Sequence, residues 1–387
     1  MAMVRAVRDG EAMRAVARRF AVSVGTVSHW VEHARGQSLA RVDFTDRKPG
    51  RAWNRTPASR EAQILQTRAD LRKDSVLGEY GADAIAQTLA TVKRHPVVIS
   101  RATIYRVLER RGALDAVRRQ RRPAPPKGWY LPRLTGGEAE LDSFDFIEDL
   151  KIADGPLVCL LTGISLHGAL ADAWVMPQRR TTSTIEALLT RWRAQGLPDY
   201  AQFDNDNVFQ GAHHLADAVG RISRLCLALG IIPVFAPPRE PGLQNAIEGF
   251  NGLWQSKVWQ RHHCPNVAAL RRVSATYIAA HRAKTASRRD HGPARQPFPK
   301  GFSWDPATAL RGRMIFIRRS DDRGVVNLLG RAYPVDENWL HRLVRCEVDF
   351  THRRLRFYAL RRRDPDDQPL LHEVSYPHHI KHSKAKK

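Results

Sequence analysis

Cysteine is scarce in this chain. Four residues, Cys159, Cys226, Cys264 and Cys346, lie far apart in 387 positions. None forms a C-x-x-C pair, which excludes a disulfide framework and a cysteine zinc knuckle and fits a reducing cytoplasm. Long apolar runs are also missing. No stretch of about eighteen apolar residues offers a membrane span, and the first residues lack the apolar core of a signal peptide. No internal repeat of fixed period is present. Acidic residues are in short supply: 39 Asp and Glu face 63 Lys and Arg, a formal charge of +24. That imbalance says little about fold. It points to an anionic polymer as partner, most simply nucleic acid, because Lys and Arg neutralise phosphates.

Hydrophobic residues make up 43% of the chain, enough for sizeable cores in two to four domains. Residues 11–34 carry two short helical patterns around a tight turn. Met13, Val16, Ala17 and Phe20 recur at helical spacing, then Val27, Trp30 and Val31, with Ser23 placed to cap the second helix. The pattern resembles a helix-turn-helix of the homeodomain-like kind, which assigns residues 1–40 to a DNA-binding domain. Thr26, Ser28, His29 and His33 are the outward residues of its recognition helix. A second such module, helix-turn-helix or winged-helix-like, is expected over residues 56–115. Its recognition helix follows Ser100, with Ile104, Val107 and Leu108 inward and Arg101, Thr103 and Arg106 outward. Residues 116–135 read as a basic, proline-rich linker.

Residues 136–285 change character. Three apolar stretches with short links, "EAELDSFDFI", "GPLVCLLTGIS" and "GALADAWVM", suggest an antiparallel meander. A helix, the strand "YAQFD", the helix "AHHLADAVGRISRLCLALG", the strand "IIPVFAPP" and the long helix "LQNAIEGFNGLWQSKVWQ" follow. Such an order specifies a mixed sheet with helices on its faces. Residues 313–376 read as short β-branched and aromatic strands, expected to form a small β-barrel, and residues 377–387 as a basic tail.

Three acidic residues in the central segment are not explained by hydrophobic patterning. Asp142 stands inside the first strand, where Asp is disfavoured and rarely buried alone. Asp204 ends the fourth strand in "DNDN". Glu248 sits one residue off the apolar stripe Leu243, Ile247, Phe250, Trp254 and Val258, on the face of Asn251 and Gln255. With the fourth strand beside the first, the three acids approach one another. Crowded carboxylates repel unless cations lie between them, and one or two Mg²⁺ ions would make the cluster a phosphodiester catalyst. Asp145, three residues along the same strand, is the alternative first acid, and Asp206 the alternative second.

At these residues the chain resembles a known family. "ELDSFDF", "QFDNDNVFQ" and "GLQNAIEGFNGLW" are similar to the three signature segments of the DDE transposase and retroviral-type integrase superfamily. The resemblance implies a multidomain α/β protein, with helix-turn-helix modules, a ribonuclease-H-like core and a small β-domain, as in insertion-sequence transposases. It implies that Asp142, Asp204 and Glu248 hold two Mg²⁺ or Mn²⁺ ions, and that Asn251 and Asn205 are accessory residues. It also implies double-stranded DNA as partner, both element ends and target, a homo-oligomer, and a nucleoid-associated location in bacterial cytoplasm. Strand nicking and attack by a 3′-hydroxyl are the expected reaction. Asp206 stands where the family usually has Gly, and Gly249 where an Arg often follows the Glu. The alternative is a DNA-binding regulator with an inactive core of this kind.

Overall fold

The computed structural model describes residues 1–45, 56–91, 96, 98–115, 127–153, 155–211, 215–237, 240, 242–362 and 364–376. The tail at 377–387, most of the 116–135 linker, His213 and His214, and part of the loop before the Glu248 helix lie outside the described residues.

The first 45 residues form three helices, α1 (Ala2–Arg8), α2 (Met13–Arg19) and α3 (Val24–His33), around Val16, Ala17 and Val27. Ser23 caps α3 by accepting from the backbone of Thr26, a bond worth about 1 kcal/mol. A second set, α4 (Ala58–Asp74), α5 (Ala82–Ala90) and α6 (Arg101–Arg110), packs around Ile64, Ile85, Ile104 and Leu108. Ser100 caps α6 in the same way. Glu61 is buried on α4 and ties down the end of α6 through Arg110 and Arg111.

A short helix, α7 (Pro132–Thr135), precedes the sheet. The expected meander is present as β1 (Leu141–Lys151), β2 (Leu157–Ser165) and β3 (Ala171–Met176), all antiparallel neighbours. Then come α8 (Thr181–Gln195), β4 (Tyr200–Phe203), α9 (Asn207–Gln210), α10 (Arg221–Ala228) and β5 (Ile232–Phe235). As expected, β4 lies beside β1, and the pair is parallel. The helix expected across 212–230 is confined to α10, because the chain folds back on itself first. Gly220 donates to the Gln210 carbonyl, and a Cβ at Gly220 would lie 2.6 Å from that oxygen. The glycine is what allows the two backbones to touch.

Next come α11 (Asn245–Trp254), a π-helical turn (Gln255–Trp259), α12 (Val267–Lys284) and α13 (Ala286–Asp290). Both faces of the sheet are covered. Phe144, Phe203, Phe235 and Phe316 pack with Leu188 and Trp192 of α8 and Leu225 of α10. On the other face Ile147, Leu160 and Ile164 pack with Ile247, Phe250 and Trp254 of α11 and Leu270 of α12. The second helical set docks on the core, with Lys257 and Arg261 donating to the carbonyls of Gly78 and Ser75 and Lys284 pairing with Glu79.

The expected separate barrel at 313–376 is corrected. Strands β6 (Arg313–Arg319), β9 (Leu343–Asp349), β10 (Arg354–Ala359) and β11 (Leu370–Ser375) extend the core sheet, giving the order β11-β10-β9-β6-β5-β4-β1-β2-β3. Among the described residues, only β7 (Val325–Leu328) and β8 (Arg331–Pro334) stand apart, as a hairpin. Without β6, β5 would present an open edge of unpaired amides. The parallel partner β6 closes that edge, and Phe316 stacks on Phe235 at 5.0 Å. Cys346 and Phe357 join the same apolar cluster as Phe144, so these strands share the core's interior. Among the described residues no helix is long and apolar enough to cross a membrane.

Candidate active site

Successive side chains on a strand point to opposite faces, so Asp142 and Asp145, three apart, cannot share one. Asp142 turns with Phe144 toward α8. It is fully buried there, accepting from Arg191 Nε at 2.9 Å and Nη2 at 2.8 Å. Arg295 Nη1 and Nη2 donate at 3.0 and 2.7 Å, and Trp192 Nε1 at 3.2 Å. Burial alone would raise its pKa, but the guanidinium groups of Arg191 and Arg295 outweigh burial and hold the carboxyl well below the usual range. Asp142 is therefore the anchor of a buried ion network, which corrects its expected place as first metal ligand. Neither carboxylate oxygen is left facing the Glu248 helix.

Asp145 turns the other way, toward α11. Its Oδ1 accepts from the Phe146 amide and its Oδ2 from Asn251 Nδ2, both at 2.8 Å. The Asn251 side chain is oriented in turn by Thr162, whose Oγ1 lies 2.7 Å from Asn251 Oδ1. Thr162 stands directly opposite Asp145 in the β1–β2 ladder. Burial, then the charge of Asp204, and further those of Glu248 and Glu148 push the Asp145 pKa up to about 6, against the Phe146 amide bond.

Asp204 follows the last residue of β4 and accepts from the Asp206 amide at 3.0 Å. Burial foremost, with the neighbouring Asp206 charge, raises its pKa. Glu248 occupies the first turn of α11 and is exposed. None of Asp145, Asp204 and Glu248 has an ion pair among the described residues. The charges of Asp204 and Glu248 both act on Asp145, and Arg179 only partly offsets the rise at Asp204. Among the described residues, no three His, Cys, Asp or Glu side chains are grouped closely enough to hold one metal ion. The donor chemistry nonetheless fits a hard divalent cation, since all are carboxylate oxygens and two of them raise the pKa of Asp145.

Asp206, the alternative second acid, is engaged elsewhere. It caps α9 through the Val208 amide and pairs with Arg179, which also pairs with Glu148. Asn205 donates to the Ala236 carbonyl and accepts from Arg318 Nη2. At Gly249 a Cβ would meet nothing within 4 Å. Gly249→Ala is therefore expected to stabilise the chain by about 0.5–1 kcal/mol through helix propensity. Urea unfolding of both forms measures it, and an unchanged or lower midpoint contradicts an open helix face.

On α3, Ser28, His29 and His33 are exposed, whereas Thr26 is half-buried and bonded to the Ser23 cap. His29 and His33 stack at 6.3 Å, and His33 Nε2 lies 3.2 Å from the Asp43 carbonyl. On α6, Arg101 is exposed and pairs with Asp83 at 3.1 Å. Arg106 is exposed and donates to its own helix at Ala102, while Thr103 is half-buried beside the Ser100 cap.

No family model matches the chain, and no curated protein matches it. Among solved structures it is similar to a simian T-cell lymphotropic virus intasome in complex with PP2A regulatory subunit B56 gamma. There the identity is 14% over 69% of this chain and 84% of that chain, with a TM-score of 0.33. It is also similar to the catalytic core domain of BIV integrase, at 17% identity over 37% of this chain and 81% of that chain, TM-score 0.28. The HTLV-2 integrase catalytic core domain in complex with magnesium, in its trimeric form, matches at 15% identity over 40% of this chain and 87% of that chain, TM-score 0.27.

Several residues of the site escaped the sequence reading. Thr162 is one, and its signal was the hairpin register that sets it opposite Asp145. Arg191 is another. It lies on the same helical face as Leu188 and Trp192, and an Arg on an apolar face needs a buried anion. That anion is Asp142. Arg295 and Arg318 carried no local signal, because their partners lie more than a hundred residues away.

Proposed function

We propose that the chain is a DNA transposase or integrase, a DDE-type polynucleotidyl transferase with a ribonuclease-H-like core. One observation carries this reading. The charges of Asp204 and Glu248, from two distant segments, both bear on the half-buried Asp145 carboxyl, and none of the three has an ion pair among the described residues of a chain of charge +24. The reaction class rests on the resemblance of the three sequence segments, with Asp145 taking the place first given to Asp142. The strand order, a meander followed by parallel β4 and β5 beside β1, supports the ribonuclease-H-like assignment.

Asp145, Asp204 and Glu248 would hold one or two Mg²⁺ or Mn²⁺ ions. When bound, such ions supply charge stabilisation for the attacking and leaving oxygens of a phosphodiester. The protein's own part is positioning. Asn251 and the Phe146 amide each occupy one lone pair on an Asp145 oxygen and leave the second pair for a cation. The Asp206 amide holds Asp204, and Arg179 pairs with both Asp206 and Glu148 beside it. Helices α3 and α6, through Ser28, His29, His33, Arg101 and Arg106, would grip the element's ends as duplex DNA. Nicking by water would expose a 3′-hydroxyl, which would attack target DNA in line with no covalent enzyme intermediate. Pairing two ends in one reaction calls for a multimer.

The test uses the full chain and labelled duplex carrying the DNA that borders its gene. Nicked and joined products are expected with Mg²⁺ or Mn²⁺ and none with chelator. Asp204→Asn is expected to bind the duplex with unchanged affinity and yield no product. Binding without any metal-dependent product in the unmodified chain would replace this reading with the DNA-binding regulator.

A further inference from the structure

The parallel strands β4, β5 and β6 end in register. Phe203 pairs with Phe235, and Phe235 with Phe316. Asn205 and Arg318 each lie two residues beyond that row, so both reach the rim that carries Asp204. Arg318 Nη2 donates to Asn205 Oδ1 and Nη1 to the Ile317 carbonyl, both at 2.9 Å. Its guanidinium lies 5.0 Å from the centroid of the Phe316 ring. A guanidinium has five N–H donors. Those two bonds leave three of Arg318's donors without a partner among the described residues.

The neighbouring guanidinium groups at this rim are occupied: Arg179 pairs with Glu148 and Asp206, and Arg319 with Glu240. Arg318 is half-buried and has no carboxylate partner among the described residues. Burial without a balancing acid pulls its pKa down to about 10. A desolvated cation that keeps free donors is set up to receive an anion.

We propose that Arg318 is an anion-binding residue, and that its ligand is a phosphodiester of duplex DNA lying across the rim beside the carboxylates. The inference rests on the polynucleotidyl-transferase reading and adds a contact from the C-terminal strands. Planar paired donors match a phosphate's two free oxygens. The Phe316 ring and the Asn205 bond fix the plane of the fork. Asn205, tied also to Ala236, joins the anion contact to the turn that carries Asp204. A phosphate held there would keep the DNA backbone in register with the site.

The experiment measures binding of the full chain to a fluorescent 30-base-pair duplex in chelator, across a series of KCl concentrations. Arg318→Gln is expected to weaken binding by about tenfold and to flatten the log–log salt dependence by about one unit, the loss of one phosphate contact. Arg318→Lys is expected to keep the slope and lose part of the affinity, because it retains charge without the fork. A glutamine variant with unchanged affinity and slope overturns the proposal. Should that variant melt early, the lysine form decides: a slope flattened as far as in a misfolded chain overturns it, and a retained slope supports it. Chelator removes catalysis from the readout. Metal-dependent cleavage with unaltered Arg318→Gln binding sinks this inference alone, while altered binding without any cleavage sinks only the enzymatic reading.

Discussion

Asp142→Asn is expected to destabilise the core by roughly 3 kcal/mol or more, the cost of breaking a buried ion network by removing one partner. The carboxylate receives five donor contacts within 3.2 Å, four of them from Arg191 and Arg295. An amide carries no charge, and its NH₂ group would face guanidinium donors. Arg191 would retain Asp172, but Arg295 has no other carboxylate among the described residues, only the Gln195 and Gly196 carbonyls. Urea unfolding of the full chain, followed by tryptophan fluorescence, reads the loss directly, since Trp192 lies in the network. A variant as stable as the unmodified chain refutes the anchoring role. Any loss of strand transfer in Asp142→Asn then follows loss of fold, and restoring the fold at low temperature should restore activity.

Asp145→Asn is expected to behave in the opposite way. Strand transfer should fall at least about a thousandfold, equivalent to roughly 4 kcal/mol of transition-state stabilisation. Stability at neutral pH should rise. The Asp145 carboxyl titrates near pH 6 in the folded chain, against about 3.9 unfolded. A raised folded pKa means that the native state binds the proton more tightly. Its contribution is fully present below about pH 4 and is lost as pH climbs through about 6. Two units correspond to about 3 kcal/mol. In metal-free buffer the Asn form should therefore be more stable than the parent at pH 7 by up to about that amount, with the gap closing toward pH 4. Saturating Mg²⁺ should raise the parent's melting temperature and leave the variant's nearly unmoved. Equal stability of the two at pH 7, with no response of either to the metal, would show that Asp145 bears no like-charge strain.

These two variants separate what the strand pattern leaves open. In β1, hydrophobic residues fill both faces, so a period of two cannot tell which side meets the Glu248 helix. Parity guarantees that only one of Asp142 and Asp145 can share a face with Glu248. Choosing between them required knowing that α8 brings Arg191 and Trp192 to the Asp142 side.

The amino-acid sequence by itself determined the helical modules with their Ser23 and Ser100 caps, the β1–β2–β3 meander, the strand beside β1 and the apolar stripe of α11. Local propensity, capping and periodicity act over a few residues, and those forces can be read along the chain. Tertiary structure alone decided that the last strands extend the core sheet, that Asp142 is locked by Arg191 and Arg295, and that Arg318 reaches Asn205. Each depends on partners far apart in the chain, where packing and the need to balance buried charge override any local pattern.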